Sequence, residues 1–205
     1  VEAIKNNVFG TKNLVDAAEK NKVKKFVFVS TDKAVEPIGI YGVSKHLAEE
    51  IVLQKGKNNN TFLVVRFGNV IGSSGSIIPL FEKYIKEGKT LPISHKKSKR
   101  FFMSIQEAVS LTLKVGNIGK ENMLYILDMG EPVKIINLAK KMIELSGLKL
   151  GEDLDIKITG LRPGEKLYEE LLSDKDDNIA TKHERIFISN LHKMNPTNLY
   201  RSSNR

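Results

Sequence analysis

The sequence contains no cysteine, which excludes disulfides and thiolate metal sites. Its four histidines are scattered along the chain, so no metal site is predicted. No apolar run approaches the roughly 20 residues that a membrane helix needs. No secretory signal precedes the first predicted helix. We therefore expect no membrane segment in this chain and a cytoplasmic location.

The charge balance is strongly positive, with a formal net charge of +9 at pH 7. Such an excess fits a solvated lysine-rich surface, or an anionic ligand such as nucleic acid or a diphosphate. The lysines are spread along the chain without interleaved aromatic residues, unlike those of a nucleic-acid groove. We predict no nucleic-acid partner, and the surface and diphosphate alternatives both stay open.

The first third of the sequence alternates between helical and extended patterns. Apolar residues recur at helical spacing over residues 1–21 and again from about residue 41 to 55. Residues 24–30 (KKFVFVS) and 61–67 (TFLVVRF) are rich in β-branched and aromatic side chains, which predicts buried parallel strands. This order of helix, strand, helix and strand is typical of a doubly wound sheet.

Beyond Gly68 the predicted elements are shorter. Helices are predicted at 77–88, 106–115, 131–147 and 167–172, extended segments at 101–105, 123–127 and 156–159, and loops at 72–76 and 95–100. Residues 191–205 are polar and poorly patterned, so we expect a frayed tail.

One candidate for acid–base chemistry is the pair formed by Tyr41 and Lys45. The two side chains are four residues apart on a predicted helix and share one face. A lysine cation beside a phenol lowers the phenol pKa, so such a tyrosine can take a proton from a sugar hydroxyl. The motif alone is common, however, and equally describes a tyrosine at a helix start and a solvated lysine.

The position of this pair, directly after a strand end, favours a functional role. Ser30, Thr31, Asp32 and Lys33 come at the carboxyl end of the strand that precedes the helix. Ligands of doubly wound sheets bind beyond the carboxyl ends of the strands. Hydroxyls, an acid, an amine and the Tyr41 phenol are therefore expected around one crevice.

The segment VFVSTDKAVEPIGIYGVSKHLAEE resembles the active-site region of the extended short-chain dehydrogenases/reductases. More narrowly, it is similar to the inverting UDP-N-acetylglucosamine 4,6-dehydratases and the polysaccharide-biosynthesis proteins related to them. Five further segments resemble the same family, in the same order: NNVFGTKNLVDAA, RFGNVIGSSGSIIPLF, KRFFMSIQEAV, YILDMGEPVKIINLAKKMI and GLRPGEKLYEELL. Together they cover nearly everything up to about residue 190.

The resemblance implies catalytic roles for Thr31, Asp32, Lys33, Tyr41 and Lys45. Thr-Asp-Lys at this position resembles the inverting dehydratases, whereas the retaining enzymes typically carry Thr-Asp-Glu. By the same resemblance, Lys33 removes the C5 proton of the sugar and Asp32 protonates the departing C6 hydroxyl. Without the surrounding motifs, the Asp-Lys pair would be interpreted as a surface ion pair.

The resemblance also implies two sets of binding residues. The cofactor, NADP or NAD, would be bound by Asn7, Ser30, Tyr41 and Lys45. The UDP-sugar substrate would be bound by Asn69, Arg100, Arg162 and Glu165. The arginines would meet phosphate oxygens and Glu165 the ribose hydroxyls. The alternatives are a turn residue for Asn69, a helix-surface amide for Asn7 and a surface ion pair for Arg162 and Glu165.

The glycine-rich turn Gly-x-Gly-x-x-Gly, which holds the pyrophosphate of a dinucleotide, is missing from the sequence. In the resembled family it lies upstream of the helix with which this chain begins. We therefore expect an α/β fold that is the C-terminal part of a doubly wound Rossmann-type parallel sheet, with a smaller α/β substrate-binding domain. Residues 1–75 are assigned to the Rossmann part and 76–190 mainly to the substrate domain, with some elements returning to the sheet. The missing part leaves open a location at the cytoplasmic face of a membrane.

Three functions are compatible with the sequence. The first is a nucleotide-sugar 4,6-dehydratase for surface polysaccharide or glycan biosynthesis, expected to form homo-oligomers as its relatives do. The second is a nucleotide-sugar epimerase, against which Lys33 argues because C4 epimerisation needs no base at C5. The third is a non-catalytic nucleotide-sugar-binding fragment, suggested by the missing glycine-rich turn.

Overall fold

A computed structural model describes residues 1–55, 60–120, 122–172 and 178–189. The predicted tail at 191–205 lies outside the described residues. Within the described ranges every helix is too short or too polar to cross a membrane.

Five α-helices are formed in the described ranges. They are α1 (Thr11–Lys20), α2 (Ile40–Gln54), α3 (Ile77–Lys86), α4 (Ile105–Ile118) and α5 (Ile135–Leu145). A π-helical segment, Ile4–Gly10, runs directly into α1, and a 3₁₀ turn, Asp32–Ala34, follows the first strand. Eleven strands accompany them: β1 (Lys25–Thr31), β2 (Thr61–Phe67), β3 (Asn69–Val70), β4 (Leu91–Ile93), β5 (Lys99–Arg100), β6 (Phe102–Met103), β7 (Leu124–Leu127), β8 (Val133–Lys134), β9 (Ile156–Ile158), β10 (Asn178–Ala180) and β11 (Ile186–Ser189).

The main sheet has the strand order β1-β2-β7-β11-β10. The first three strands are parallel, and the last two join antiparallel. The predicted α/β fold class with a parallel sheet is thus confirmed. Among the described residues β1 lies at the edge of the sheet and is only half-buried, so the prediction of a buried strand was wrong there.

Hydrophobic side chains cover both faces of this sheet. Alternate residues of β2 point to opposite faces, with Phe62 and Val64 packing towards α1 and α2. Leu63 and Val65 pack into a second cluster that includes residues of α4. A third cluster joins α3, β4 and α5, away from the sheet. Where the chain divides into domains stays a prediction.

The predicted helix at 167–172 is wrong. This segment is irregular, and its carbonyl groups accept long-range hydrogen bonds instead of forming helical ones. The Leu167 carbonyl accepts from the backbone of Lys99 and from Arg100, and the Leu171 carbonyl accepts from Arg66. Strands β10 and β11 had no counterpart in the predicted elements.

Candidate active site

The 3₁₀ turn after β1 holds an acid and an amine in contact. The Asp32 side chain is fully buried, and its Oδ1 accepts hydrogen bonds from Lys33 Nζ at 2.9 Å and from Thr31 Oγ1 at 2.9 Å. Thr31 Oγ1 accepts in turn from the backbone amide of Lys33 at 3.4 Å. The Lys33 side chain remains 35% exposed. The turn therefore holds a partly exposed amine, that of Lys33, against the buried carboxylate of Asp32.

The neighbouring strand end supplies a third polar group. β1 and β2 are parallel and in register from Lys25–Thr61 to Thr31–Phe67, so their carboxyl ends meet. Asn69 follows at the start of β3, and its Oδ1 accepts from Lys33 Nζ at 3.2 Å. A Cβ atom at Gly68 would lie 3.0 Å from Asp32 Oδ2, so the missing side chain leaves room for the buried carboxylate.

Tyr41 and Lys45 lie in the first turns of α2. Tyr41 is half-exposed. Lys45 points back to β1, where its Nζ donates to the Val29 carbonyl at 2.7 Å and lies 4.0 Å from the centre of the Phe28 ring. Burial lowers the pKa of Lys45, although Glu49 opposes the shift. Lys45, one helical turn after Tyr41, thus folds back onto β1.

Another predicted cofactor residue, Asn7, holds α2 in place. Asn7 Nδ2 donates to Ser44 Oγ at 2.9 Å, and Ser44 Oγ donates to the Tyr41 carbonyl at 2.8 Å. Ser30 is buried, and its hydroxyl contributes to lowering the pKa of Glu49. Asn7 thus anchors the turn of helix that carries Tyr41.

A cavity of about 550 Å³ lies in front of the turn. Six of the predicted site residues line it, namely Lys33, Tyr41, Asn69, Arg100, Arg162 and Glu165. The remaining five are not part of its lining, namely Asn7, Ser30, Thr31, Asp32 and Lys45. The structure therefore gathers every predicted substrate residue around one space, and Asp32 meets that space through Lys33.

Arg100 is more constrained than its loop position suggested. Its guanidinium is buried and donates to the carbonyls of Lys99, Lys166 and Leu167 at 2.8, 2.9 and 3.2 Å. It also donates to Glu165 Oε1 at 3.3 Å. Arg100 thereby ties the Gly-Leu-Arg-Pro-Gly-Glu loop to β5, while Arg162 stays exposed at the cavity.

Ser94, Lys166 and Glu169 also line the cavity and were not among the predicted site residues. Ser94 Oγ donates to Glu165 Oε1 at 2.6 Å, and Lys166 Nζ donates to the Val35 carbonyl at 2.8 Å. Glu169 is buried in the cavity wall. Lys166 lies within the segment GLRPGEKLYEELL and Ser94 directly precedes the basic loop, so both could have been included. The burial of Glu169 had no signal because its segment was predicted to be a helix.

The amino-acid sequence of the chain is similar to those of several known proteins. The family model described as polysaccharide biosynthesis protein matches residues 1–191. The capsular polysaccharide biosynthesis protein CapD of Staphylococcus aureus is 46% identical over 188 residues, which is 91% of this chain and 31% of CapD. A UDP-glucose 4-epimerase of Rickettsia canadensis is 40% identical over 180 residues, covering 86% of this chain and 51% of that enzyme. The inverting UDP-N-acetylglucosamine 4,6-dehydratase of Campylobacter jejuni is 34% identical over 192 residues, covering 91% and 55%.

Solved structures share the fold. The crystal structure of Pen from Bacillus thuringiensis superposes with a TM-score of 0.83 at 39% identity, covering 91% of this chain and 59% of Pen. A dTDP-glucose 4,6-dehydratase from Bacillus anthracis, solved with NAD, superposes with a TM-score of 0.71 at 22% identity over 84% of this chain and 60% of that one. The chain spans between about a third and three fifths of the length of these relatives.

Proposed function

The chain belongs to the polysaccharide biosynthesis protein family, and we propose that the whole protein is a nucleotide-sugar 4,6-dehydratase that inverts C5. The proposed substrate is UDP-N-acetylglucosamine, and the proposed cofactor is NADP or NAD. The observation that carries the proposal is the contact of Lys33 Nζ with both Asp32 Oδ1 and Asn69 Oδ1 at the wall of a cavity. A base beside an acid is what removal of a C5 proton with loss of a C6 hydroxyl requires.

The Asp32–Lys33 contact suggests how the neutral amine that acts as base and the carboxylic acid arise together. The ion pair and its uncharged form contain the same number of protons. Moving one proton along the 2.9 Å hydrogen bond from Nζ to Oδ1 creates an amine and a carboxylic acid together. The amine then takes the C5 proton and the acid protonates the leaving hydroxyl, so that water departs and the ion pair is restored.

The other side chains have supporting roles in this proposal. Tyr41, at the cavity, takes the proton of the C4 hydroxyl during oxidation, which makes the C5 proton acidic. When bound, the cofactor would supply hydride transfer, from C4 and back to C6. C5 would then take a proton from solvent, and Tyr41 would release to solvent the proton it took from the C4 hydroxyl. Tyr41, at the cavity, and Lys45, whose ammonium lies beside β1 at the Val29 carbonyl, would hold the nicotinamide end of the cofactor. The partly buried ammonium of Lys45 fits a ribose hydroxyl there.

Two further cavity residues, Arg162 and Glu165, suit a nucleoside diphosphate. Arg162 is exposed there, and Glu165 Oε2 accepts from the Arg162 backbone amide at 3.2 Å. An exposed guanidinium matches phosphate oxygens, and a carboxylate matches ribose hydroxyls. A UDP-sugar whose nucleotide end binds Arg162 and Glu165 would then place its sugar next to Lys33.

The test is the product made by the whole protein from UDP-N-acetylglucosamine. Mass spectrometry should show a product lighter by one water, carrying deuterium at C5 when the reaction is run in D₂O. Lys33→Met should lower kcat about 10³-fold, whereas Lys97→Met, on an exposed lysine of the basic loop, should leave kcat unchanged. Failure with every nucleotide sugar tested would defeat the proposal.

An epimerase is the second candidate, because the chain is 40% identical to a UDP-glucose 4-epimerase over 180 residues. Such an enzyme would give a product of unchanged mass. Simple C4 epimerisation would also leave C5 without deuterium, since no proton leaves that carbon. The two measurements together separate these reactions.

A further inference from the structure

Glu169 is a buried carboxyl in the cavity wall that the proposed mechanism leaves unused. Its side chain is 5% exposed, and it lines the same cavity as Lys33. Its Oε2 is buried and finds no hydrogen-bond partner among the described residues. An ionised carboxylate with a bare buried oxygen is costly, whereas the uncharged acid is tolerated far better.

The nearest cation does not hydrogen-bond to this carboxyl. Arg100 Nε lies 3.8 Å from Glu169 Oε1, which is too long for a hydrogen bond. The terminal nitrogens of Arg100 donate instead to three backbone carbonyls and to Glu165. Arg100 therefore gives its terminal hydrogen bonds to the loop, and its contact with Glu169 is an ion pair without a hydrogen bond.

The charges that face Glu169 come from three parts of the chain. They are Asp32 and Lys33 in the 3₁₀ turn, Arg100 in β5 and Lys166 in the loop. Burial is the largest influence and raises the pKa of Glu169. Lys33 lowers it, Asp32 raises it, and Arg100 and Lys166 lower it further without cancelling the rise. Lys33 reaches the cavity that Glu169 lines, whereas Asp32 does not, so a negative Glu169 would favour the charged form of the Asp32–Lys33 pair.

We propose that Glu169 is a positioning residue that acts through Lys33. By staying uncharged beside the Asp32–Lys33 pair, it keeps the amine-and-acid form of that pair accessible. This role rests on the proposed dehydratase function. Ionisation of Glu169 would draw the shared proton back onto Lys33 and remove the base.

The kinetic test uses the pH profile of the whole protein. Glu169→Gln, which cannot ionise, should keep kcat at neutral pH within about threefold of the wild-type value. Its activity should persist at least about one pH unit further into the alkaline range. Glu170→Gln changes the neighbouring exposed carboxyl and should reproduce the wild-type profile. A Glu169→Gln profile identical to wild type, or a tenfold loss of kcat in folded protein, overturns the proposal.

An infrared measurement tests the same proposal without turnover. The C=O band of a protonated carboxyl should be present at neutral pH in wild type and in Glu170→Gln, and absent in Glu169→Gln. Lack of that band in wild type refutes the uncharged state of Glu169, whichever reaction the protein catalyses. If Glu169→Gln fails to fold, Glu169→Asp provides the comparison, because its band should remain and should titrate with pH. A wild-type band that persists while no dehydrated sugar forms would count against the dehydratase function alone.

Discussion

Gly39 and Gly164 pack backbone against backbone. A Cβ atom at Gly39 would lie 3.1 Å from the Gly164 carbonyl oxygen, and a Cβ atom at Gly164 would lie 3.1 Å from the Gly39 Cα. This contact joins the residue that precedes α2 to the loop that carries Arg162 and Glu165. It therefore fixes the distance between the proposed sugar and nucleotide ends of the cavity.

Replacing Gly164 by alanine should loosen this contact and weaken nucleotide-sugar binding. Gly164 has a φ of +80°, so alanine adds backbone strain to the steric conflict. We expect KM to rise about tenfold with kcat changed less than threefold, a difference of about 1.4 kcal/mol in binding. Gly151→Ala is the matched control, since Gly151 has a φ of +85° and open space around it. If KM rises equally in the two variants, backbone strain rather than the Gly39–Gly164 contact would explain the rise.

Gly42 brings α2 against the catalytic turn. A Cβ atom there would lie 2.2 Å from the Lys33 carbonyl oxygen and 3.0 Å from Pro37 Cβ. Gly42→Ala must therefore push the helix away from the turn, which we expect to cost about 1–3 kcal/mol of stability and to lower kcat. Urea unfolding and steady-state kinetics of the whole protein measure both effects.

The control for this substitution is another glycine inside a helix. Gly116 lies in α4, and a Cβ atom there would make an ordinary 3.6 Å contact with Val27. Gly116→Ala should stabilise the protein by up to about 1 kcal/mol, because alanine favours the helix. Similar destabilisation by both substitutions would contradict the steric explanation for Gly42.

Glu49 and Arg66 form a buried ion pair behind the site. The Arg66 Nε and Nη2 atoms donate to the two Glu49 carboxylate oxygens at 3.1 and 2.7 Å. The Arg66 side chain is 3% exposed and the Glu49 side chain 0%. Glu49→Gln should lower the free energy of unfolding by about 3–5 kcal/mol, because Arg66 loses its counter-charge. Glu144→Gln breaks an exposed pair with Lys141 and should cost less than about 1 kcal/mol. Comparable losses in the two variants would argue against a special role for the buried pair.

The same pair makes stability depend on pH. Burial would raise the pKa of Glu49, but His46, Arg66 and Ser30 outweigh it and lower the pKa from 4.5 to about 2. A lowered pKa means that the stabilisation is complete above about pH 5 and is lost as the pH falls towards 2. Glu49→Gln should flatten this part of the curve of unfolding free energy against pH. An unchanged acid slope would assign the loss of stability to other carboxylates.

Arg100 and Arg162 were both predicted to bind phosphate, yet their environments differ. Arg162→Ala should weaken UDP binding about tenfold without changing stability, because the side chain is exposed. Arg100→Ala should lower the free energy of unfolding by about 3 kcal/mol, because four acceptors lose a buried donor. Calorimetry with UDP and urea unfolding check the two effects. Arg100→Lys should not restore stability, since an ammonium cannot reproduce the planar fork. Equal effects of the two alanine substitutions on stability would contradict this division.

Local sequence patterns were enough to predict the alternation of helices and strands through the parallel core and the grouping of polar residues at strand ends. Both follow from local information, because hydrophobic periodicity fixes the element and parallel strands meet at their carboxyl ends. Lys33 and Asn69 could be expected near each other for that reason.

The conformation of the segment after Gly164, in contrast, depends on long-range packing. Lys166 bonds to Val35 across 131 residues, and Arg66 bonds to Leu171 across 105. Such contacts override the local helical pattern at 167–172 and bury Glu169 beside Lys33, since backbone carbonyls are satisfied by distant donors rather than by the next turn. The burial of a charged group depends on what packs against it, and no local pattern contains that information.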